Sequence, residues 1–479
     1  MKMSVLAALL CAALPLAAFS ASQAASAKPF DPATQCGRQD EGAAPRNVKA
    51  KAKKLTPGEL RADLTLVSQV LTHCDPDLRH SVAPSVVAKK IAAIRAKLDH
   101  PMTRDQAWRV LSTLNPVLAD GHMGIFYPDS SDKRWLAHLN DGGVLFPFET
   151  VVHADGTLYV RAALGGGKTE LAGARILSID GVPAADVIAT AMKHINGDTV
   201  RYRAHLLSRR FWSYYWSLYG APKSYRLVLE QNGKRIPMTA PGSAATPGDT
   251  LVGKAFNRTF GFKLLPHETA LLTVNLFYWP HPKRYMAFMR SAFAHMKEVG
   301  TKTLIIDIRE NGGGDDGFWK KGILPYVGHG KYLFASSYIK RELPGHTDKG
   351  YKIGDVAKGK LDSWVTLDAH NPLHFSGKVY VLEGGMTYSS AILFVNVMQH
   401  FGYGTIAGES GLARANQSGG VYSTLLPNTG LIVSWPRFIL MRPSGKTKPE
   451  YVEPDIAIKA DPLHPMAAVH QIMRDAERR

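Results

Sequence analysis

Cysteine is scarce in this chain, with only Cys11, Cys36 and Cys74 among 479 residues. That excludes a disulfide-dense scaffold, and the spacing fits no cysteine-based metal site. Acidic residues are few as well, 40 against 58 Lys and Arg, giving a formal net charge of +18. The excess is spread along the chain apart from one dense run at Arg46, Lys49, Lys51, Lys53 and Lys54. Such a run reads as a solvated linker, or as a patch drawn to anionic envelope surfaces. No aromatic-interleaved basic patch or nucleic-acid module accompanies it, so nucleic acid is not an expected partner.

Long apolar runs are missing too, except at the start. Lys2 precedes an almost wholly apolar stretch from Val5 to Phe19, and Ala25-Ser26-Ala27 makes a small-residue cleavage pattern before Lys28. The stretch is short for a membrane span and is flanked as a secretory signal is. Residues 1–27 are therefore expected to be a signal peptide, and the protein to be exported, periplasmic or secreted. No integral membrane span is expected after cleavage. Cys11 would leave with the signal, and the apolar stretch runs too far past it for lipidation there. Cys36 and Cys74 then remain, compatible with one disulfide or with two free thiols.

What is present is the composition of a globular protein, 45% apolar and 20% charged, in a chain long enough for two to three domains. Residues 28–57, rich in Ala, Pro, Gly and Lys, read as a linker. Three helices are predicted over 58–130. The first, Gly58 to Thr72, carries Leu60, Leu64, Val67 and Leu71 at helical spacing. The second starts from an N-cap at Ser85 and the third from one at Thr103. From 140 to 245 the pattern is strand-like: Val144-Leu-Phe-Pro-Phe, Leu158-Tyr-Val-Arg and Tyr225-Arg-Leu-Val-Leu alternate as half-buried strands do. An Asp180-Gly181 turn precedes a predicted helix over 184–194. From 250 to 465 strands alternate with helices, and Leu304-Ile-Ile-Asp-Ile308 is apolar enough to be buried on both faces. The fold class is α/β and multidomain.

Two turns carry chemistry. Asp307-Ile-Arg309-Glu-Asn311-Gly312-Gly313-Gly314 leaves a buried strand directly. Its glycines permit positive φ and expose backbone N–H groups suited to an anion or oxyanion. The Lys-Ser/Thr ending of a phosphate loop is absent. In Leu382-Glu-Gly384-Gly385-Met-Thr-Tyr-Ser389-Ser390-Ala391 a strand ends and a helix begins at the serines. A serine there can be a plain N-cap, or a nucleophile whose neighbouring N–H faces whatever it attacks.

These phrases are followed in order by Gly408-Glu409, Leu426-Pro-x-x-Gly430 and Glu453-Pro-Asp455. Together they resemble the C-terminal-processing (tail-specific) and tricorn-core serine peptidase family. The resemblance extends forward to Asp120-Gly121-His122 and covers about residues 58–460. It implies an N-terminal helical segment, a central β-rich PDZ-like module that holds a substrate end, and a C-terminal α/β core of the ClpP/crotonase-like kind. It also implies Ser389 as nucleophile, with an oxyanion hole from Gly313 or Gly314 and from Ser390. The processing peptidases use a lysine after the Gly-Glu phrase as base, and here that position is Arg414. Arginine stays protonated and cannot serve. The tricorn-like branch uses histidine, which points to His122 as base, with Glu453 as its expected orienter. The family's glutamate three residues after the nucleophile is Ile392 here. The resemblance thus implies a peptide or protein substrate and an acyl-enzyme route with no metal and no cofactor. A small-ester hydrolase, or a family member that binds envelope peptides without cleaving them, are the alternatives. Oligomeric state is not legible.

Overall fold

The computed structural model describes residues 30–37, 54–128, 133–459 and 461–478. The expected signal peptide and most of the expected linker lie outside the described residues. Helix α1 (Pro57–His73) opens with a reciprocal Thr56–Glu59 capping box and buries Leu60, Leu64, Val67 and Leu71. Helix α2 (Pro84–Ala96) starts one residue before the expected Ser85 cap. Ala83 holds the cap position without a side-chain bond, because Pro84 comes preset for the first helical turn. Helix α3 (Arg104–Leu111) is capped by Thr103 as expected, with Gln106 completing the box. Cys36 and Cys74 form a disulfide that fastens the segment before α1 to its end. A short strand, β1 (Gly124–Phe126), follows the Asp120-Gly121-His122 turn.

The central part is an antiparallel meander of β2 (Phe148–Val152), β3 (Leu158–Ala163), β4 (Arg175–Ile179), β5 (Ser224–Gln231) and β6 (Lys234–Pro241), in that spatial order. Between β4 and β5 come α4 (Ala184–Ala191) and α5 (Val200–Tyr219). The strand expected at 144–148 is reduced to one bridge from Leu145 to Ser243, since Pro147 has no N–H to give a ladder. Sequence patterning missed α5 altogether. Its dense aromatics sit on several faces, so the helical period is blurred. The Ser208 hydroxyl of α5 accepts the Val152 N–H at 2.8 Å, so α5 packs against the end of β2.

The last part is an α/β sheet. In chain order it comprises β7 (Phe260–Leu265), β8 (Thr269–Val274), α6 (Pro282–Glu298), β9 (Thr303–Asp307), β10 (Lys378–Leu382), α7 (Ser390–His400) and β11 (Thr405–Gly408). Shorter strands follow: β12 (Gln417–Gly419), β13 (Tyr422–Leu425), β14 (Ile432–Trp435), β15 (Phe438–Met441) and β16 (Ile456–Ala457). The main sheet runs β16-β11-β10-β9-β8-β7, parallel except for the β7–β8 pair. Every residue of β9 is buried, as its unbroken apolar run predicts. Helix α8 (Met466–Arg478) covers part of the sheet with Val469 and Ile472.

Two features of this arrangement matter for the site. The helices α1 to α3 and the central meander share one apolar cluster, which Leu431 and, on β14, Val433 and Trp435 also enter. Strand β1 pairs antiparallel with β14, Gly124 opposite Ser434 and Phe126 opposite Ile432. That pairing carries the histidine turn from the N-terminal part to the C-terminal ends of the parallel strands, where ligands of open α/β sheets gather.

Candidate active site

Strand β10 ends at Leu382, and the chain turns through two glycines before α7 starts at Ser390. From residue 379 to 398 every residue is buried except Ser389. Ser389 has φ 54° and ψ −126°, a conformation that costs a non-glycine residue energy and is characteristic of a nucleophile elbow. It occupies the N-cap position of α7, yet its side chain makes no capping bond. The plain N-cap reading therefore fails. Ser390 differs: its hydroxyl donates to Asp316 and accepts from the Trp319 indole at 2.9 Å, which leaves it no freedom to react.

The glycine turn after β9 packs directly on this elbow. A Cβ at Gly313 would lie 2.7 Å from Ser389 Cβ and 2.9 Å from the Tyr388 carbonyl oxygen, and φ there is +108°. Only glycine fits. The Gly313 N–H donates to Asn311 Oδ1 at 2.8 Å, so of the expected oxyanion donors this one is occupied. Gly314 bridges to Phe277 through its neighbours' groups, with Phe277 donating to the Gly313 carbonyl and Asp315 to the Phe277 carbonyl. The N–H groups of Gly312, Gly314 and Ser390 have no acceptor among the described residues. At Ser390 the reason is general, since the first N–H groups of a helix have no carbonyl of their own.

His122 reaches this place from far away in sequence. Its ring lies 4.9 Å from the ring of Tyr388. Nδ1 is 2.8 Å from the Ser418 hydroxyl and 3.7 Å from Asp120 Oδ1. The same Asp120 oxygen accepts the His122 backbone N–H at 2.7 Å. Ser418 follows Gln417 on β12, and Gln417 Oε1 accepts the Ser389 N–H at 3.1 Å. Two neighbouring residues of one strand thus hold the serine and the histidine. No direct hydrogen bond joins the His122 ring to the Ser389 hydroxyl, an arrangement common in sites without substrate. Burial pushes the His122 pKa below the ordinary histidine value, with Asp120 opposing the shift and His80 adding to it. The imidazole is held neutral, the form in which it can accept a proton.

Glu453, the expected orienter, does not meet His122. Its side chain is exposed, and its backbone carbonyl accepts from Gln399 at 2.9 Å. The phrase around it closes the sheet at β16 instead of facing the elbow. Asp120 takes the acidic place: a turn lets one carboxylate oxygen bond the backbone two residues on while facing the ring of that same residue. Ser418 lay outside the sequence reading because nothing local marks it.

Arg414, in the position of the family lysine, is a buried tie. Its guanidinium bonds the Ala119 carbonyl and Glu450 Oε1, and its backbone N–H bonds Asp198 Oδ2 at 2.8 Å. Asp198 Oδ1 in turn accepts the Tyr388 hydroxyl at 2.6 Å and the Gly121 N–H at 3.2 Å. Burial pushes the Asp198 pKa up, and Asp120 adds to this while Arg414 and Tyr388 oppose it. Nothing in the sequence pattern around Asp198 announced that role. Ile392 is buried in the core below α7, so no acid stands there.

Residues 269–458 match the family model described as peptidase family S41. Among solved structures, mature CPAF complexed with lactacystin is similar over 88% of this chain and 97% of its own, at 14% identity and a TM-score of 0.60. A CPAF mutant is similar over 88% of this chain and 96% of its own, at 13% identity and a TM-score of 0.63. At such identity the likeness is one of fold. No curated protein matches the sequence.

Proposed function

Because the chain belongs to peptidase family S41, through residues 269–458, and is a serine-type peptidase, we propose that it cleaves peptide bonds through an acyl-enzyme on Ser389. The observation that carries this reading is Ser389 itself: strained, making no capping bond and partly exposed inside an otherwise buried run. Ser389 Oγ attacks the peptide carbonyl carbon while His122 Nε2 takes its proton. The Ser390 N–H, with that of Gly314 or Gly312, receives the developing oxyanion. His122 then gives the proton to the leaving amine, and a water repeats the sequence to release the acid. Nδ1–H donates to Ser418, and the Asp120 carboxylate stabilises the imidazolium while it exists. Export is part of the proposal, supported by the signal-like residues 1–27 and by the Cys36–Cys74 disulfide, a bond that persists in oxidising compartments.

A fluorophosphonate probe tests the reading on the purified protein. Labelling is expected in wild type and in Ser390→Gly, and lost in Ser389→Ala and His122→Ala. Labelling that survives Ser389→Ala would overturn the assignment. Cleavage of short esters but of no peptide would favour the small-ester alternative. Peptides that bind and stay intact over long incubation would favour a non-cleaving binder.

A further inference from the structure

A cleft of about 570 Å³ opens beside His122. His122, Tyr388 and Gly312 are among its lining residues. The floor includes Phe126 and Ile432, which face each other across the β1–β14 pair. One wall comes from α5, chiefly from Tyr202, Leu206, Arg210, Tyr214 and Ser217, with Trp212 and Ser213 beside them. Steps of three and four residues put the first five side chains on one helix face. The cleft thus mixes aromatic and polar surface in about equal parts, with room for a large side chain next to a bond held at Ser389.

Arg210 stands out within the polar part of the lining. Helix α5 carries four arginines, and three have partners within the protein. Arg201 bonds Glu409, Arg203 bonds the Gly197 carbonyl, and Arg209 bonds the Glu310 carbonyl. The guanidinium of Arg210 makes no hydrogen bond or ion pair among the described residues, and the residue is exposed at the cleft. The helix also breaks its regular geometry there, with φ −113° and ψ 17°. Asp249 is the one carboxylate among the described lining residues. It accepts the Trp212 indole N–H at 3.1 Å, and Arg209 and Arg210 both act on it through space, with no contact ion pair to Arg210. Lys254 adds a second cation to the lining. A part-aromatic cleft with an exposed arginine at its wall that makes no contact ion pair is suited to receive a carboxylate along with an apolar group.

We propose that Arg210 determines specificity, binding a substrate carboxylate while the aromatic residues of α5 take a large apolar side chain of the same peptide. The proposal rests on the reading of Ser389 and His122 as the active site. The carboxylate has two sources, an Asp or Glu side chain close to the scissile bond or the free C-terminus of the peptide.

Fluorogenic peptides with Phe, Leu or Ala beside the cleavage position separate the two sources. One set carries Glu or Gln at the neighbouring positions with an amidated end, and another carries Gln with a free C-terminus. Wild type is expected to favour Phe or Leu over Ala, and carboxylate-bearing over neutral peptides by about 10- to 100-fold in kcat/KM. Arg210→Gln should bring the acidic-to-neutral ratio near one, and Arg210→Glu should reverse it towards Lys-containing peptides. An unchanged ratio in both variants, with fluorophosphonate labelling of Ser389 retained, overturns the role of Arg210 and leaves Ser389 standing. The same peptides bound to Ser389→Ala and read by fluorescence anisotropy give the preference without turnover. A carboxylate preference there that Arg210→Gln removes upholds the proposal even if labelling shows the Ser389 reading to be wrong. No preference in binding or turnover overturns it.

Discussion

The Tyr388 hydroxyl donates to Asp198 Oδ1 at 2.6 Å. One phenol thereby joins the residue before the candidate nucleophile to the buried acid that anchors the histidine turn. The Tyr388 hydroxyl oxygen also accepts the Gly121 N–H at 2.8 Å, and a Cβ at Gly121 would fall 2.6 Å from the Tyr388 ring. Elbow and histidine turn are therefore placed by the same side chain.

Tyr388→Phe keeps the ring against His122 and removes only the hydroxyl. Asp198 and Gly121 each lose a buried partner, an effect worth about 1–3 kcal/mol of stability. Urea unfolding should show a lower midpoint. Fluorophosphonate labelling of the folded protein should slow as well, since the turn is less firmly held. Unchanged stability and labelling would mean that the hydroxyl bears no load.

The pH dependence follows from His122. In the proposed mechanism the neutral ring is the base, and burial lowers its folded pKa below the ordinary value of 6.5. Labelling of Ser389 should hold steady at neutral pH and fall only as pH drops through that depressed value. Linkage has the same sign: the unfolded chain takes the proton first, so the contribution of the neutral ring to stability is lost on acidification below about 6.5. Asp120 pulls the pKa upward, so Asp120→Asn should move the acid limb further down. A limb above 6.5 that ignores Asp120→Asn would exclude His122 as the titrating base.

Arg414→Lys restores the residue type that the processing peptidases use as base, and here it should not restore their chemistry. Lysine keeps the positive charge near Asp198 but cannot span the Ala119 carbonyl and Glu450 together as the guanidinium does. The expected result is a loss of about 1–3 kcal/mol in thermal or urea stability. No labelling should return when the change is added to His122→Ala. Recovery of labelling in that double variant would point to a serine–lysine site.

Much of the fold can be read locally. The apolar run 304–308 became the fully buried β9, and Thr103 caps its helix through a side-chain bond. The elbow is legible for the same reason, because Gly384, Gly385 and the serines lie within one strand–turn–helix unit. Failures came where a signal was masked or distant. Pro147 broke an otherwise good strand pattern, and aromatic residues around several faces of α5 hid its period. Glu453 was assigned from its motif, while the side chains that meet His122 are Asp120 and Ser418.

The sequence by itself determined the segments whose geometry depends on neighbours in the chain: the buried strands, the glycine turns and the serine at the head of α7. Glycine backbone freedom and side-chain periodicity act over a few residues, so they survive in a one-dimensional record. Tertiary structure alone decided which histidine partners entered the site, that Arg414 became a tie, and that Arg210 kept its charge at the cleft without a contact ion pair. Those outcomes depend on contacts between residues as far apart as His122 and Ser418. They also depend on desolvation, which exists only once β1 has paired with β14 and α5 has closed over the meander.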